Sequence, residues 1–241
     1  MQYTITEHYT KYHPERLKYS HSADIKSLND GIIVKIKLNE TPEAERKTIF
    51  EISGAIKIEI GVYNFPGDLK RMDPYRRDEY YNVYADENGN SPYIEAEILL
   101  HDEYREKRVR SMSLGVPLNL YNATENEIYL LYDGVRFAWI SNGEIVNINF
   151  PIGFIKAENK KIFISDGAEI GICSDVKPLE SEEKTETKKE SIAFYSARGY
   201  NAWGGDIVNF YHDGVYHFLV LLDRHHHKNR FAGGAHTTYH M

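Results

Sequence analysis

Short runs rich in isoleucine and tyrosine, punctuated by Asp-Gly and Asn-Gly pairs, constrain the fold of this chain more than any other feature. The pairs are Asp133-Gly134, Asn142-Gly143 and Asp213-Gly214. Each pair lies between two apolar runs, and such pairs favour type I′ turns because both central residues take a positive φ. β-Branched and aromatic residues favour strands. The sequence therefore predicts an all-β protein built from antiparallel hairpins.

Six strands are predicted in the first 150 residues. They lie at residues 31–38, 55–60, 94–100, 127–132, 135–140 and 144–148. The first two turn pairs join the last three strands into a β-meander. Many short strands without a long amphipathic helix are typical of a sandwich or a barrel.

Residues 177–190 differ in composition from the rest of the chain. This segment is mostly Lys, Glu and Thr and has almost nothing to bury. It cannot offset its ordering entropy, so it is predicted to be a solvated, charged linker. It separates a first domain, residues 1–176, from a tail, residues 191–241, whose length lies near the lower limit for independent folding.

Composition and charge exclude several classes of protein. Lys+Arg is 29 and Asp+Glu is 36, a net charge of −7, which argues against a nucleic-acid partner. The single cysteine, Cys173, excludes a disulfide framework and a cysteine-based zinc site. No apolar run approaches the roughly 20 residues of a membrane helix, and residues 1–20 do not resemble a signal peptide. We therefore expect a cytoplasmic protein with no membrane partner; the oligomeric state stays open.

The segment from Leu131 to Glu144 combines a strand, a short turn, an aromatic strand and an Asn-Gly turn, and Phe150-Pro151-Ile152-Gly153 follows the next strand. Over residues 24–175 this pattern resembles concanavalin-A/laminin-G-like domains. The resemblance implies a β-sandwich with jelly-roll topology.

Two features of this first domain have open interpretations. Its tyrosines either stack on sugar rings or pack into the core or against a neighbouring domain. Its polar loop, residues 64–74, carries two aspartates that either bind calcium, as in some relatives of this fold, or belong to a plain surface loop. The residues concerned are Tyr63, Tyr80, Tyr81, Tyr84, Asp68 and Asp73.

The tail opens with a predicted hairpin around Asp213-Gly214. A Gly-Gly pair comes just before Asp206, so backbone can approach closely there and leave the carboxylate facing open space. Taken alone, Asp206 equally fits an aspartate that caps a turn through backbone N–H groups.

The pattern from Gly205 to Phe218, Gly-Asp-x-x-x-Phe-Tyr-His-Asp-Gly-x-Tyr-His-Phe, resembles the first blade of the five-bladed propeller glycosidases of families 32 and 43. The resemblance implies that Asp206 is the catalytic carboxylate at the propeller axis, the nucleophile in family 32 and the general base in family 43. It also implies substrate contacts from Trp203, Arg224, His225, His226, His236 and His240.

Two details qualify this resemblance. Family 32 usually reads Asn-Asp-Pro-Asn-Gly around the nucleophile, whereas this chain has Gly205-Asp206-Ile207, so the resemblance leaves the preference for fructosides open. Adjacent histidines on a strand point to opposite faces, so His225-His226-His227 makes a poor metal site and fits a solvated loop or sugar contacts. No metal and no cofactor are predicted.

Seven of the 11 histidines lie in the last 30 residues, and the sequence stops at Met241 within the blade pattern. A glycosidase of this type needs two carboxylates, and the family places the second in later blades. We therefore expect no turnover of fructosides or arabinosides by this chain alone.

Three functions follow from the sequence. The first is the N-terminal part of a β-fructosidase-like glycoside hydrolase of the family 32 type, which cleaves O-glycosidic bonds of oligosaccharides. It would consist of a sandwich followed by an incomplete first blade. The second is a non-catalytic, lectin-like sandwich that binds carbohydrate. In the third, the sandwich braces the propeller and binds nothing.

Overall fold

The computed structural model describes residues 3–22, 28, 31–43, 46–64, 90–101, 109–149, 151, 155, 161–190, 204–223 and 236–240. The strands of this part are β1 (Tyr3–Tyr12), β2 (Ile32–Leu38), β3 (Lys47–Ile52), β4 (Ile56–Asn64), β5 (Asn90–His101), β6 (Val109–Pro117), β7 (Ile128–Tyr132), β8 (Phe137–Ser141), β9 (Glu144–Asn149), β10 (Ile162–Ile164), β11 (Ala168–Cys173), β12 (Ser181–Glu190), β13 (Gly204–His212), β14 (Val215–Asp223) and β15 (His236–His240). One 3-10 turn, Pro14–Arg16, and one helical turn, α1 (Leu118–Tyr121), accompany them. Nowhere in the described ranges is there a helix long and apolar enough to cross a membrane.

Two five-stranded antiparallel sheets form the larger part of the structure. The first sheet has the order β10-β3-β4-β5-β6, and the second has the order β11-β2-β7-β8-β9. The predicted all-β class is confirmed, as are the six predicted strands, which correspond to β2, β4, β5, β7, β8 and β9.

A single apolar core joins the inner faces of the two sheets. Ile58 and Ile98 of the first sheet belong to the same buried cluster as Val34 and Trp139 of the second, so the two sheets form a sandwich. Side chains also link them along one edge, because the Trp139 indole N–H donates to the Leu114 carbonyl at 2.7 Å. The Asn147 amide donates to the Gly115 carbonyl at the same distance. These bonds use carbonyls of β6, a strand at the edge of the first sheet.

The outer face of the second sheet is also buried, and we call it the covered face. Its cluster consists of Ile33, Tyr129, Leu131, Ala138, Ile140 and Cys173. Residues from the segments 12–19 and 176–179 pack against it, Leu17 and Leu179 among them. The second sheet is therefore apolar on both sides, which explains the near-continuous apolar run of β7.

Two of the three turn pairs have the predicted backbone conformation, and the third does not. Asn142 and Gly143 have φ of 53° and 81°, and Asp213 and Gly214 have 49° and 81°, so the left-handed backbone predicted at these two turns is confirmed. At Asp133-Gly134 the prediction is wrong. Only Gly134 has a positive φ there, and Tyr132 pairs with Phe137 across a four-residue loop. The Asp133 carboxylate causes this difference, because it accepts hydrogen bonds from the backbone N–H groups of Val135 and Arg136 and so closes the wider loop.

The predicted linker, residues 177–190, contains a strand. Residues 181–190 form β12, which pairs with β1 in a two-stranded sheet. Its side chains are largely exposed, as the composition suggested, but Tyr9 and Thr10 donate to Glu186 and Glu183. The pairing joins segments more than 170 residues apart in the sequence, so the local composition gave no sign of it.

A three-stranded antiparallel sheet, β13-β14-β15, lies in the tail. It contains the predicted hairpin around Asp213-Gly214 and a third strand. Contacts divide the chain into two compact units. One consists of Lys11–Glu182, and the second consists of Met1–Thr10 together with Glu183–Met241. These sheets establish neither the predicted jelly-roll topology nor the predicted propeller blade.

Candidate functional site

Asp206, the predicted catalytic residue, lies on β13 at an irregular point of the sheet. Gly204 pairs with Leu222 and Ile207 pairs with Val220, so the register shifts between Gly204 and Ile207. Such bulges redirect side chains and are frequent next to functional sites. The backbone thus gives Asp206 a special position, while its role stays a prediction.

The other predicted contacts of the tail divide into two groups. His236 pairs with Asp223 and His240 with Leu219, at opposite ends of β15. The remaining four lie outside the described residues: Trp203, Arg224, His225 and His226.

The residues singled out in the first domain also fall largely outside the described part of the chain. Tyr63 is the exception, since its backbone lies on β4 opposite Ser91. The others that lie outside are Tyr80, Tyr81, Tyr84, Asp68 and Asp73.

The outer face of the first sheet carries a cluster of charged residues that the sequence argument missed. Side chains alternate along β4 and β5, so Ile58 and Ala96 face the core while their neighbours face outward. Glu59 pairs with Glu95 and Lys57 with Glu97 in the register of these two strands. Together with two residues that contact them, they form what we call the charged face: Arg46, Lys57, Glu59, Tyr93, Glu95 and Glu97.

Arg46 holds the centre of the charged face together. Its guanidinium lies 3.1 Å from a carboxylate oxygen of Glu95 and 3.6 Å from one of Glu59. Its Nε donates to the Tyr93 hydroxyl at 2.6 Å. Glu95 is only 3% exposed, and a carboxylate so deeply buried requires a charged partner.

Lys57 links Glu59 to the third carboxylate, Glu97. Its Nζ lies 3.3 Å from Glu59 and 3.2 Å from Glu97. Burial alone would lower the pKa of Lys57, but the bonds to Glu97 and Glu59 raise the pKa above its usual value. The ammonium therefore stays charged, and its side chain is 37% exposed.

Tyr93 lies flat against a glycine on the neighbouring strand. A Cβ added at Gly61 would come within 2.8 Å of the Tyr93 hydroxyl, so only glycine leaves room for the ring. Burial raises the pKa of Tyr93, and the adjacent Arg46 partly offsets this effect. The phenol is therefore a neutral hydrogen-bonding group.

An exposed aromatic residue lies in the same row of the sheet as part of the charged face. The register pairs Phe163 with Glu51, Glu51 with Lys57, Lys57 with Glu97, and Glu97 with Ser113. We call these five residues the Phe163 row. Phe163 is 53% exposed, one of the few large apolar side chains on the described surface.

Ser91 adds a polar group to the same face. It follows the alternation of Tyr93 and Glu95 along β5, is fully buried, and has an Oγ with no hydrogen-bond partner among the described residues. A buried hydroxyl without a partner costs free energy.

The covered face carries a comparable charged group, which is also partly exposed, at 31% for Lys35 and 37% for Glu127. Lys35 donates to Glu127 at 3.1 Å, Tyr129 donates to the other oxygen of that carboxylate, and Lys35 lies 5.2 Å from the centre of the Tyr19 ring. Burial alone would raise the pKa of Glu127, yet the bonds from Tyr129 and Lys35 hold its pKa below the usual value. Burial and the Glu127 carboxylate raise the pKa of Tyr129. We interpret this group as structural, because Tyr19 and Leu17 pack over the sheet at this point.

Comparisons of the chain with protein-family profiles, with curated proteins and with solved structures find no match. The resemblances in residues 24–175 and 205–218 therefore stay predictions. Among the described residues, no group of three or more His, Cys, Asp or Glu is arranged to hold a metal ion. The charged face must accordingly be interpreted from its own geometry.

The sequence did contain a signal for the charged face. Residues 56–60 read Ile-Lys-Ile-Glu-Ile and residues 94–98 read Ile-Glu-Ala-Glu-Ile, so apolar and charged residues alternate with the period of a strand. That pattern identifies half-buried strands with charged outer faces. It does not identify the two strands as neighbours, and only their pairing brings Glu59 and Glu95 together.

Proposed function

We propose that the unit Lys11–Glu182 binds carbohydrate through the partly exposed margin of the charged face, Lys57 and Glu97, together with the rest of the Phe163 row. The observation that carries the proposal is an exposed aromatic ring in one register row with a partly exposed Lys–Glu pair, Lys57 and Glu97. Aromatic rings stack on the C–H faces of sugars. Carboxylates accept hydrogen bonds from hydroxyl groups, and ammonium groups donate to them.

The pairing of charges favours recognition over catalysis at this face. Glu59, Glu95 and Glu97 each contact a cation, Arg46 or Lys57. A paired carboxylate stays ionised, whereas a glycosidase needs one carboxylic acid that keeps its proton. Ionised carboxylates beside cations suit the binding of several hydroxyl groups at once.

The proposed fold of this unit is a concanavalin-A/laminin-G-like jelly roll. Two five-stranded antiparallel sheets around one core support it, as do the crossings of the chain between sheets after β2 and after β6. Carbohydrate binding is common to several proteins with that architecture, but the proposal here rests on the charged face.

The decisive measurement is a calorimetric titration of the full chain with a panel of neutral oligosaccharides. Wild type is expected to bind at least one of them. Lys57→Met and Glu97→Gln should each weaken that binding about tenfold or more, because each removes a charge-assisted hydrogen bond. Unchanged affinity in both variants would contradict the proposal, as would the absence of binding to every member of the panel.

Glu169→Gln is the matched control. Glu169 pairs with Lys37 in the second sheet as Glu97 pairs with Lys57 in the first. It is exposed, and its loss should leave sugar affinity unchanged. Equal melting temperatures of the variants would exclude a general loss of folding.

A second proposal concerns the tail, as the start of a glycoside hydrolase domain with Asp206 as its carboxylate and Trp203, Arg224, His225, His226, His236 and His240 as substrate contacts. The three antiparallel strands and the register shift at Asp206 support it. In titrations with fructose- and arabinose-based oligosaccharides, Asp206→Asn should weaken binding. Asp213→Asn should not, because Asp213 lies in the turn, where Asn tolerates a positive φ. Equal effects of the two variants, or no binding by wild type, would contradict this assignment.

A further inference from the structure

The two-stranded sheet of β1 and β12 has an open edge along β12. The N–H of His13 donates to the carbonyl of Glu180, and His8 contacts Thr185. Positions fall along β1 as they rise along β12, so the two strands are antiparallel. Among the described residues, β1 is the only strand paired with β12. A sheet of two strands is only marginally stable by itself, and a long open edge is a template for a further strand.

The hydrogen bond to Glu180 shows which residues of β12 face the open edge. Alternate residues of a strand direct their backbone N–H and C=O groups to opposite sides. Since Glu180 bonds toward β1, the even-numbered residues of β12 bond toward β1 as well. Glu183, Thr185 and Thr187 therefore present their backbone groups to the open edge, and their side chains are exposed.

The charges of β12 are self-complementary about Thr185. If a second copy of the strand lies antiparallel, with the two Thr185 residues opposite each other, Lys184 comes opposite Glu186 of that copy and Glu182 comes opposite Lys188. Even-numbered residues then form the non-hydrogen-bonded pairs, in which side chains lie closest. Opposite charges at such positions stabilise strand pairing. Over residues 181–189 no like charges face each other in this register.

Other registers lose this match. With the pairing centred on Lys184, that residue would lie opposite itself and Glu182 would lie opposite Glu186. With the pairing centred on Glu186, that residue would lie opposite itself and Lys184 would lie opposite Lys188. Like charges directly opposite are destabilising, and larger shifts shorten the paired segment. The sequence of β12 therefore selects one register and one occupant, a second copy of the same strand.

Contacts within the chain leave Lys184 and Glu186 able to bind this second copy. Both side chains are partly exposed. Tyr9 donates to one carboxylate oxygen of Glu186 at 3.0 Å, and both residues have further contacts in their own chain. A carboxylate accepts several hydrogen bonds and an ammonium donates several, so an additional partner across the open edge does not require these contacts to break.

We infer that two copies of the chain associate through β12 in a symmetric antiparallel pairing centred on Thr185. The pairing joins two sheets of two strands into one sheet of four, in the order β1-β12-β12-β1. The same surface serves both copies, as in most symmetric dimers. The inference is independent of the proposed carbohydrate binding, because Lys57, Glu97 and Phe163 lie on other strands.

Reversal of single charges tests the pairing in sedimentation equilibrium of the full chain. Lys184→Glu places carboxylates opposite each other and Glu186→Lys places ammonium groups opposite each other, so each variant alone should associate about tenfold or more weakly than wild type. An equimolar mixture of the two variants should associate again, because every carboxylate then faces an ammonium. The double variant Lys184→Glu/Glu186→Lys should also associate as wild type does.

Lys189→Glu is the matched control for charge. It changes the net charge as Lys184→Glu does, but Lys189 lies opposite Ser181 in the proposed register, so its association should equal that of wild type. Equal losses in these two variants would assign the effect to net charge and contradict the inference. Equal melting temperatures of the variants would exclude a loss of folding.

Disulfide formation tests the centre of the pairing. Thr185→Cys should form a covalent dimer on mild oxidation, because the two Cα atoms of this hydrogen-bonded pair would lie about 5.5 Å apart. Thr187→Cys is the control, since its two copies would lie about 14 Å apart, too far for a disulfide. The native cysteine, Cys173, is buried.

Three results would overturn the inference. The first is a wild-type chain that stays monomeric up to about 1 mM, the weak end of specific association. The second is a mixture of Lys184→Glu and Glu186→Lys that associates no better than its components. The third is equal crosslinking of the two cysteine variants, which would mean that the copies meet in another register or through another surface.

Discussion

The two sheets of the sandwich have outer faces of similar composition, but different residues pack over them. Each carries lysine, glutamate and tyrosine side chains in hydrogen-bond contact, Lys57 with Glu97 on the first sheet and Lys35 with Glu127 on the second. On the second sheet, residues 12–19 and 176–179 pack over the face and enclose it in an apolar cluster. On the first, Phe163 is 53% exposed. The charged pairs themselves are exposed to a similar degree, Lys57 and Glu97 to 37% and 26%, Lys35 and Glu127 to 31% and 37%. The same alternation thus builds a structural layer on one side and a candidate binding face on the other.

The largest expected difference between the faces concerns stability. Leu131→Ala, which truncates a fully buried side chain of the covered face, should lower the free energy of unfolding by about 2–5 kcal/mol. Phe163→Ala removes a larger side chain from an exposed position, so it should change this free energy by less than about 0.5 kcal/mol. Urea unfolding followed by tryptophan fluorescence measures both. Equal losses would mean that Phe163 belongs to a packed layer and is no contact surface.

The sequence predicted the strands that carry both faces but not the difference between them. Asn142-Gly143 and the alternation of residues 56–60 and 94–98 are local signals, and they led to the correct hairpin and the correct half-buried strands. The cover of the second sheet depends on pairings across most of the chain, such as the Ser20–Ile172 bridge, and no local pattern encodes such contacts. For the same reason the strand at 181–190 was predicted as a linker.

The next prediction tests whether the charged group of the covered face is structural. Glu127→Gln should lower stability at pH 7 by about 1 kcal/mol or less, because the carboxylate is partly exposed. The pKa of Glu127 is depressed in the folded state, so its contribution is present above the usual value of 4.5 and is lost as the pH falls through the lower folded value. The stability difference between wild type and Glu127→Gln should therefore shrink between pH 7 and pH 3.

Sugar affinity provides the control for that experiment. Glu127→Gln should bind the oligosaccharide panel as wild type does, whereas Glu97→Gln should not. A stability difference that stays constant across the acid range would contradict the assigned pKa shift. A loss of sugar affinity in Glu127→Gln would place the ligand on the covered face instead.

The smallest effects are expected at two buried serines, one on each sheet. Ser91 of the first sheet and Ser141 of the second are both buried, and neither hydroxyl has a partner among the described residues. Replacing an unpaired buried hydroxyl by hydrogen is nearly neutral or stabilising, so Ser91→Ala and Ser141→Ala should both unfold at or slightly above the wild-type midpoint. Only Ser91 lies on the side of its sheet that carries Glu95 and Glu97. Ser91 is nevertheless fully buried and lies six residues along β5 from Glu97, about 20 Å away, so neither serine variant should change oligosaccharide affinity. A loss of affinity in Ser91→Ala would extend the binding surface along β5, beyond Phe163, Lys57 and Glu97.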